Sequence, residues 1–168
     1  MAVTTTTTEV RSPHRTAAQR AAQIFGWGFI LAGLAGFFAT GTSMESHSDL
    51  APRLLGIWPV NMLHNVVHLA LGIFGIMASK AHAAAKTYCV VAGVAYLALM
   101  GLALIDHTTF GLMPIGNNDI WLHALFGIPL LLIGLASRRR TDTVVVATET
   151  PRRADEVVYT DTTRRTTP

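Results

Sequence analysis

Gly56-Ile57-Trp58-Pro59-Val60-Asn61-Met62-Leu63-His64-Asn65-Val66-Val67-His68-Leu69-Ala70-Leu71-Gly72-Ile73 is the stretch whose reading decides the fold. Asn61, His64, Asn65 and His68 fall at i, i+3, i+4 and i+7, so on a helix they share one polar stripe of an otherwise apolar cylinder. Fifty-five residues later the chain writes a second version, with Gly111, Pro114, Asp119, His123, Gly127 and Ile128 in register with Gly56, Pro59, His64, His68, Gly72 and Ile73. Five of the six pairs are identical, and the sixth exchanges one metal-capable side chain for another.

The composition around these stretches is that of a membrane protein. Of the 168 residues 51% are hydrophobic and 14% charged, with a mean hydropathy of +0.41, too apolar for a soluble domain. The net charge of +3 comes from arginine-rich tails, and no folded basic face is visible, which argues against nucleic acid as a partner. Cys89, the single cysteine, lies in an apolar run and reads as a small buried hydrophobe; alone it makes no intrachain disulfide.

Working outward, the hydropathy pattern predicts an all-α fold, a four-transmembrane-helix bundle built as a pseudo-twofold two-helix repeat. The spans run over about 24–40, 59–79, 87–105 and 118–136, inside a membrane domain at 21–137. Pro59 suits the first turn of the second span, and Pro129 lies within the fourth, where neighbouring helices take up the freed carbonyl. Residues 1–20 and 138–168, rich in Thr, Arg and Asp, read as disordered tails. The N-terminal tail, middle loop and C-terminal tail carry three, two and seven Lys or Arg, against one and none in the other two loops. Both termini are therefore expected on the cytoplasmic side of the plasma membrane.

On that orientation His64 lies roughly 8 Å and His68 roughly 14 Å below the start of the second span, and the repeat brings His123 to a similar depth. If the second and fourth helices are neighbours, His64 and His68 face Asp119 and His123. Three imidazoles and a carboxylate in i, i+4 pairs form a tetrahedral donor set for a transition metal such as zinc or iron. His68 and His123 alone could instead clamp a b-type haem. Asn61, Asn65, Asn118, Asp106 and His107 are candidates for a supporting polar network, the asparagines as caps or donors that orient the histidines.

The two motifs Asn61-x-x-His64-Asn65-x-x-His68-Leu69-x-x-Gly72 and Asn118-Asp119-x-x-Leu122-His123-x-x-x-Gly127 resemble a bacterial family of small four-helix membrane proteins, found in actinobacteria and cyanobacteria and catalogued as domain of unknown function 4383. The resemblance spans about residues 20 to 137 and implies the four-span architecture. It implies no activity, substrate or cofactor.

Three functions fit these residues. The first is a structural or interaction component, in the bilayer with a membrane protein partner or a second copy, whose buried His/Asn/Asp network fixes the bundle. The second is a metal- or haem-binding protein using His64, His68, Asp119 and His123. The third is a proton-responsive or small-transport protein. No nucleophile motif, phosphate-binding glycine loop or dinucleotide fingerprint is present, which leans away from an enzyme, although a zinc hydrolase stays open.

Overall fold

In the computed structural model the apolar runs become four α-helices: α1 (Ala17–Thr40), α2 (Met62–Ala78), α3 (His82–Ala103) and α4 (Asn117–Ala136). The structure describes residues 3–11, 14–139, 141–149 and 162–165. Three of the helices, α1, α3 and α4, are long and apolar enough to cross a membrane, while α2 is also apolar but has 17 residues. The helices and the apolar runs do not share boundaries. A capping box between Thr16 and Gln19 starts α1 seven residues before the apolar run, and α3 starts at His82.

Pro59 does not open α2 as the sequence predicts. Residues Trp58–Pro59 form strand β3, paired antiparallel with β2 (Arg53–Leu54), and α2 begins after Asn61, whose side-chain oxygen accepts the His64 N–H at 2.9 Å. An asparagine cap satisfies a helix-end donor that Pro59 has no means to satisfy.

Glycines decide how the helices pair. α1 packs chiefly on α2 and α3 chiefly on α4, with an α1–α3 contact joining the pairs. A Cβ added at Gly72 would lie 2.7 Å from the Gly26 carbonyl oxygen, and one at Gly93 would lie 2.6 Å from the Leu131 nitrogen. The backbones therefore touch where no side chain intervenes, the mode of association open to helices that gain nothing from burying leucine in lipid. Between the pairs sits a core of Phe29, Tyr88, Cys89, Tyr96 and Leu130 with small alanines.

One end of the bundle is stitched by hydrogen bonds among four helix termini. The Ala18 N–H donates to Ser137 Oγ (3.1 Å), the Gln19 amide to the Ser79 carbonyl (3.1 Å), and His82 Nδ1 meets Thr16 Oγ1 (2.9 Å). At the other end two loops share a pair of left-handed residues. Leu55 and Gly56 have φ of 52° and 74°, and Phe110 and Gly111 have 57° and 78°, so the first glycine of each repeat, Gly56 or Gly111, follows a non-glycine residue held in the left-handed region.

The described parts of the two tails form a unit of their own. Strands β1 (Val3–Arg11), β4 (Thr141–Glu149) and β5 (Thr162–Arg165) make an antiparallel sheet in the order β1-β4-β5. Composition predicts disorder there, but the run Thr4 to Thr8 and the Val144-Val145-Val146 segment are β-branched residues that favour extended backbone. The rest of both tails lies outside the described residues.

Candidate functional site

The predicted polar stripe of α2 divides in two. Asn61 and Asn65 are spent on packing: the Asn61 amide donates to the Leu112 carbonyl at 2.8 Å and to Glu45 O at 3.3 Å, tying the cap of α2 to both loops. Asn65 donates to Thr40 Oγ1 at 2.9 Å, and its side chain lies against Gly36 of α1, in space that any larger residue there would occupy. Both asparagines are fully buried, and their amides are satisfied as burial requires.

The His64 and His68 rings bond chiefly to each other, and His68 also meets α3. Their Nε2 atoms lie 3.3 Å apart with the rings at 82°, and His64 Nδ1 is buried without a hydrogen-bond partner. The Tyr96 hydroxyl, from α3, stands 3.4 Å from His68 Nε2. Phe29 of α1 stacks on His68 (5.6 Å between centroids, 30°) and on Tyr96 (5.5 Å, 21°), so its ring links the two polar side chains.

α4 supplies the rest. His123 Nδ1 lies 2.6 Å from the Asp119 backbone oxygen, and since a carbonyl can only accept, Nδ1 carries the proton. Neutral His123 then has Nε2 as an acceptor. The Asp119 carboxylate is engaged locally, accepting the Gly116 N–H at 2.9 Å at the start of the helix. That bond occupies Oδ2, one of its two carboxylate oxygens.

His64, His68, Asp119 and His123 nonetheless border one cavity of about 450 Å³, together with Tyr96 and an aromatic lining of Phe25, Phe29, Trp58 and Phe126. That size is within the usual range for small-molecule sites, roughly 300–1,000 Å³. A smaller space of about 30 Å³ adjoins the same three histidines on the side of Met113 and Ile115, enough for a water molecule. Among the described residues no group of three or more His, Cys, Asp or Glu is arranged to hold a metal ion. A haem between His68 and His123 would have to displace Tyr96, which touches both rings, with its own ring 4.8 Å from that of His123.

Asp106, His107 and Asn118 lie away from this cavity. Asp106 accepts from the Thr108 hydroxyl (2.7 Å) and from the N–H groups of Thr108 (2.9 Å) and Phe110 (2.7 Å), bonds that hold its carboxyl below the usual carboxylate range, the hydroxyl foremost. Exposed His107 meets the Ile115 carbonyl at 3.2 Å through Nδ1, and with Asn118, Asp49 and Arg53 it lines a separate polar pocket of about 410 Å³.

Tyr96 and Phe29 are the site residues that sequence reasoning misses. The one signal for Tyr96 is a hydroxyl in the middle of a span of Ala, Val and Leu, a polar atom that needs a partner in an apolar setting.

The family model described as Domain of unknown function (DUF4383) matches residues 19–136, a range that takes in all the cavity residues. No curated protein and no solved structure matches the chain.

Proposed function

The chain belongs to the DUF4383 family, and from that premise we propose that it is a four-span membrane protein of pseudo-twofold design that binds a small molecule within the bilayer. The observation that carries this reading is the convergence of three imidazoles and a phenol, from α2, α3 and α4, on one cavity with hydrogen-bonding capacity left over. A network serving packing alone would be expected to close on itself, as the two asparagines do.

α2 counts as the fourth span on length. Its 17 residues rise about 26 Å, and buried Pro59, Val60 and Asn61 carry the chain further toward the surface of a core roughly 30 Å thick. The Lys and Arg balance of the loops supports an orientation with both termini on the cytoplasmic side of the plasma membrane. The matching positive-φ pairs at Leu55-Gly56 and Phe110-Gly111, and the equivalent pairings α1–α2 and α3–α4, support the repeat.

A second reading, a structural or interaction component of a larger membrane assembly, is supported by the fully satisfied Asn61 and Asn65. A metal site draws on a different fact: two nitrogens 3.3 Å apart match the separation of two ligands on a tetrahedral ion with bonds of about 2.0–2.1 Å.

The test is to purify the full chain in mild detergent without a metal-binding tag, then extract and identify small molecules and determine metal content per chain. The same is done for His68→Leu and His123→Leu. Binding predicts an organic molecule at near one per chain that both substitutions deplete. Near-stoichiometric zinc or iron lost in the variants would replace that reading with the metal site. Chains without any such passenger, in wild type and variants alike, would leave the packing role.

A further inference from the structure

We propose that the cavity receives a neutral, membrane-soluble molecule with a flat carbonyl-bearing ring, an isoprenoid quinone by chemical class, which enters between α1 and α4 and accepts a hydrogen bond from Tyr96. The proposal rests on the small-molecule reading above and specifies its ligand.

Charge narrows the class first. The cavity lining contains no Lys or Arg, so nothing there offsets the cost of bringing a phosphate or carboxylate headgroup out of water. Asp119, the one acidic group, already serves the Gly116 N–H. A neutral ligand fits this lining, and its ring has aromatic side chains, Phe29, Tyr96 and Phe126 among them, to lie against.

Counting protons then separates acceptors from donors. A neutral imidazole has one N–H and one lone pair in its ring plane. If His68 donates from Nε2 to His64, its Nε2 has no lone pair for the Tyr96 hydroxyl. If His64 donates instead, the single lone pair on His68 Nε2 is claimed by two donors, at 3.3 and 3.4 Å. In both arrangements the Tyr96 O–H is left with bonding capacity that a carbonyl oxygen would satisfy. Where the ligand has a hydroxyl instead, His123 Nε2 offers an acceptor.

The route follows from packing. α1 and α4 touch only sparsely, and Ile24, Gly28 and Ala32 of α1 border the cavity opposite Leu122 and Phe126 of α4. A Cβ added at Gly28 would meet nothing within 4 Å, so this position is a gap in the wall.

The test uses the full chain in phosphatidylcholine nanodiscs with Trp27→Phe and Trp121→Phe, leaving Trp58 on the cavity as the only tryptophan. A naphthoquinone with a short prenyl tail is titrated and its quenching of Trp58 followed, with the matching prenyl hydrocarbon as control. Saturable quenching is expected, with affinity reduced about tenfold or more by Gly28→Phe, which fills the gap, and by Tyr96→Phe, which keeps the ring and removes the donor. Helicity and melting temperature verify that the variants fold, and Ala32→Phe replaces Gly28→Phe if it does not.

Quenching that is unsaturable, or that Gly28→Phe and Tyr96→Phe leave unchanged, would overturn the quinone assignment. In that event a different passenger molecule, present in wild type and lost in Gly28→Phe, would keep the binding reading alone. The absence of any passenger would remove both.

Discussion

His64 and His68, one helical turn apart on α2, hold their Nε2 atoms at 3.3 Å with their rings nearly perpendicular, and among the described residues no other hydrogen bond anchors the His64 ring. Each imidazole thus has the other as a principal partner. Removing one should cost about 1–2 kcal/mol, because the other loses its bond while staying out of water. Replacing both by leucine should cost less than the sum of the single changes. Unfolding of His64→Leu, His68→Leu and the double variant in mixed detergent micelles measures the coupling, and strict additivity would show that the pair does not act as a unit.

Gly36 and Asn65 should behave as a lock. A methyl at Gly36 collides with the Asn65 side chain, so Gly36→Ala should destabilise by about 1–3 kcal/mol. In the background of Asn65→Ala, where that side chain is gone and the bond to Thr40 already lost, the same substitution should be tolerated far better. Melting temperatures of the four proteins in the cycle decide it.

Two glycines of the bundle should respond oppositely to alanine. At Gly72 the new Cβ would press on Ile30 and on the Gly26 carbonyl, 2.6 and 2.7 Å away, forcing α1 and α2 apart at a cost of about 1–3 kcal/mol. At Gly28 it meets open space, and the loss of glycine's backbone freedom should stabilise the helix by about 0.5–1 kcal/mol. Thermal unfolding of both variants is the measurement, and equal effects would contradict the packing described.

Asp106 should make the loop between α3 and α4 sensitive to acid. Its carboxyl is held below its ordinary value by the Thr108 hydroxyl and then by two backbone N–H groups. A carboxylate favoured in the folded state contributes stability above its unfolded pKa, and that contribution is lost as pH falls through the lower folded value. Proton exchange of the Thr108 and Phe110 amides should accelerate relative to reference amides on acidification from pH about 5 downward. Asp106→Asn, with one acceptor oxygen where the carboxylate has two, should remove that pH step and show the faster exchange already at neutral pH.

How far the site is legible in the sequence depends on the residue. His64 and His68 announce themselves, since two imidazoles four apart in an apolar run point one way on any helix. Asn61 and Asn65 sit on the same stripe by spacing, yet they bond to Thr40, Leu112 and Glu45, partners from distant segments that no local period reveals. Tyr96 has neither a motif nor a repeat partner, and it joins the histidines only because α3 packs on α4 and touches α1. Pro59 misleads for a related reason. Its ring fits a helix start, but the competing Asn61 cap moves the start of α2 further along the chain.

By itself the sequence determined the helical character of the four apolar runs, the apolar composition suited to a membrane, the resemblance that the family match bears out, and the internal echo of one polar motif. These are properties of composition and local spacing, written along the chain at the period of a helix. Tertiary structure alone decided which polar groups are consumed by packing and which face a cavity. That outcome is set where glycine backbones of different helices touch, because close contact at Gly26 and Gly72, and at Gly93 and Leu131, sets the separation of the pairs and leaves space beside His64, His68, Tyr96 and His123.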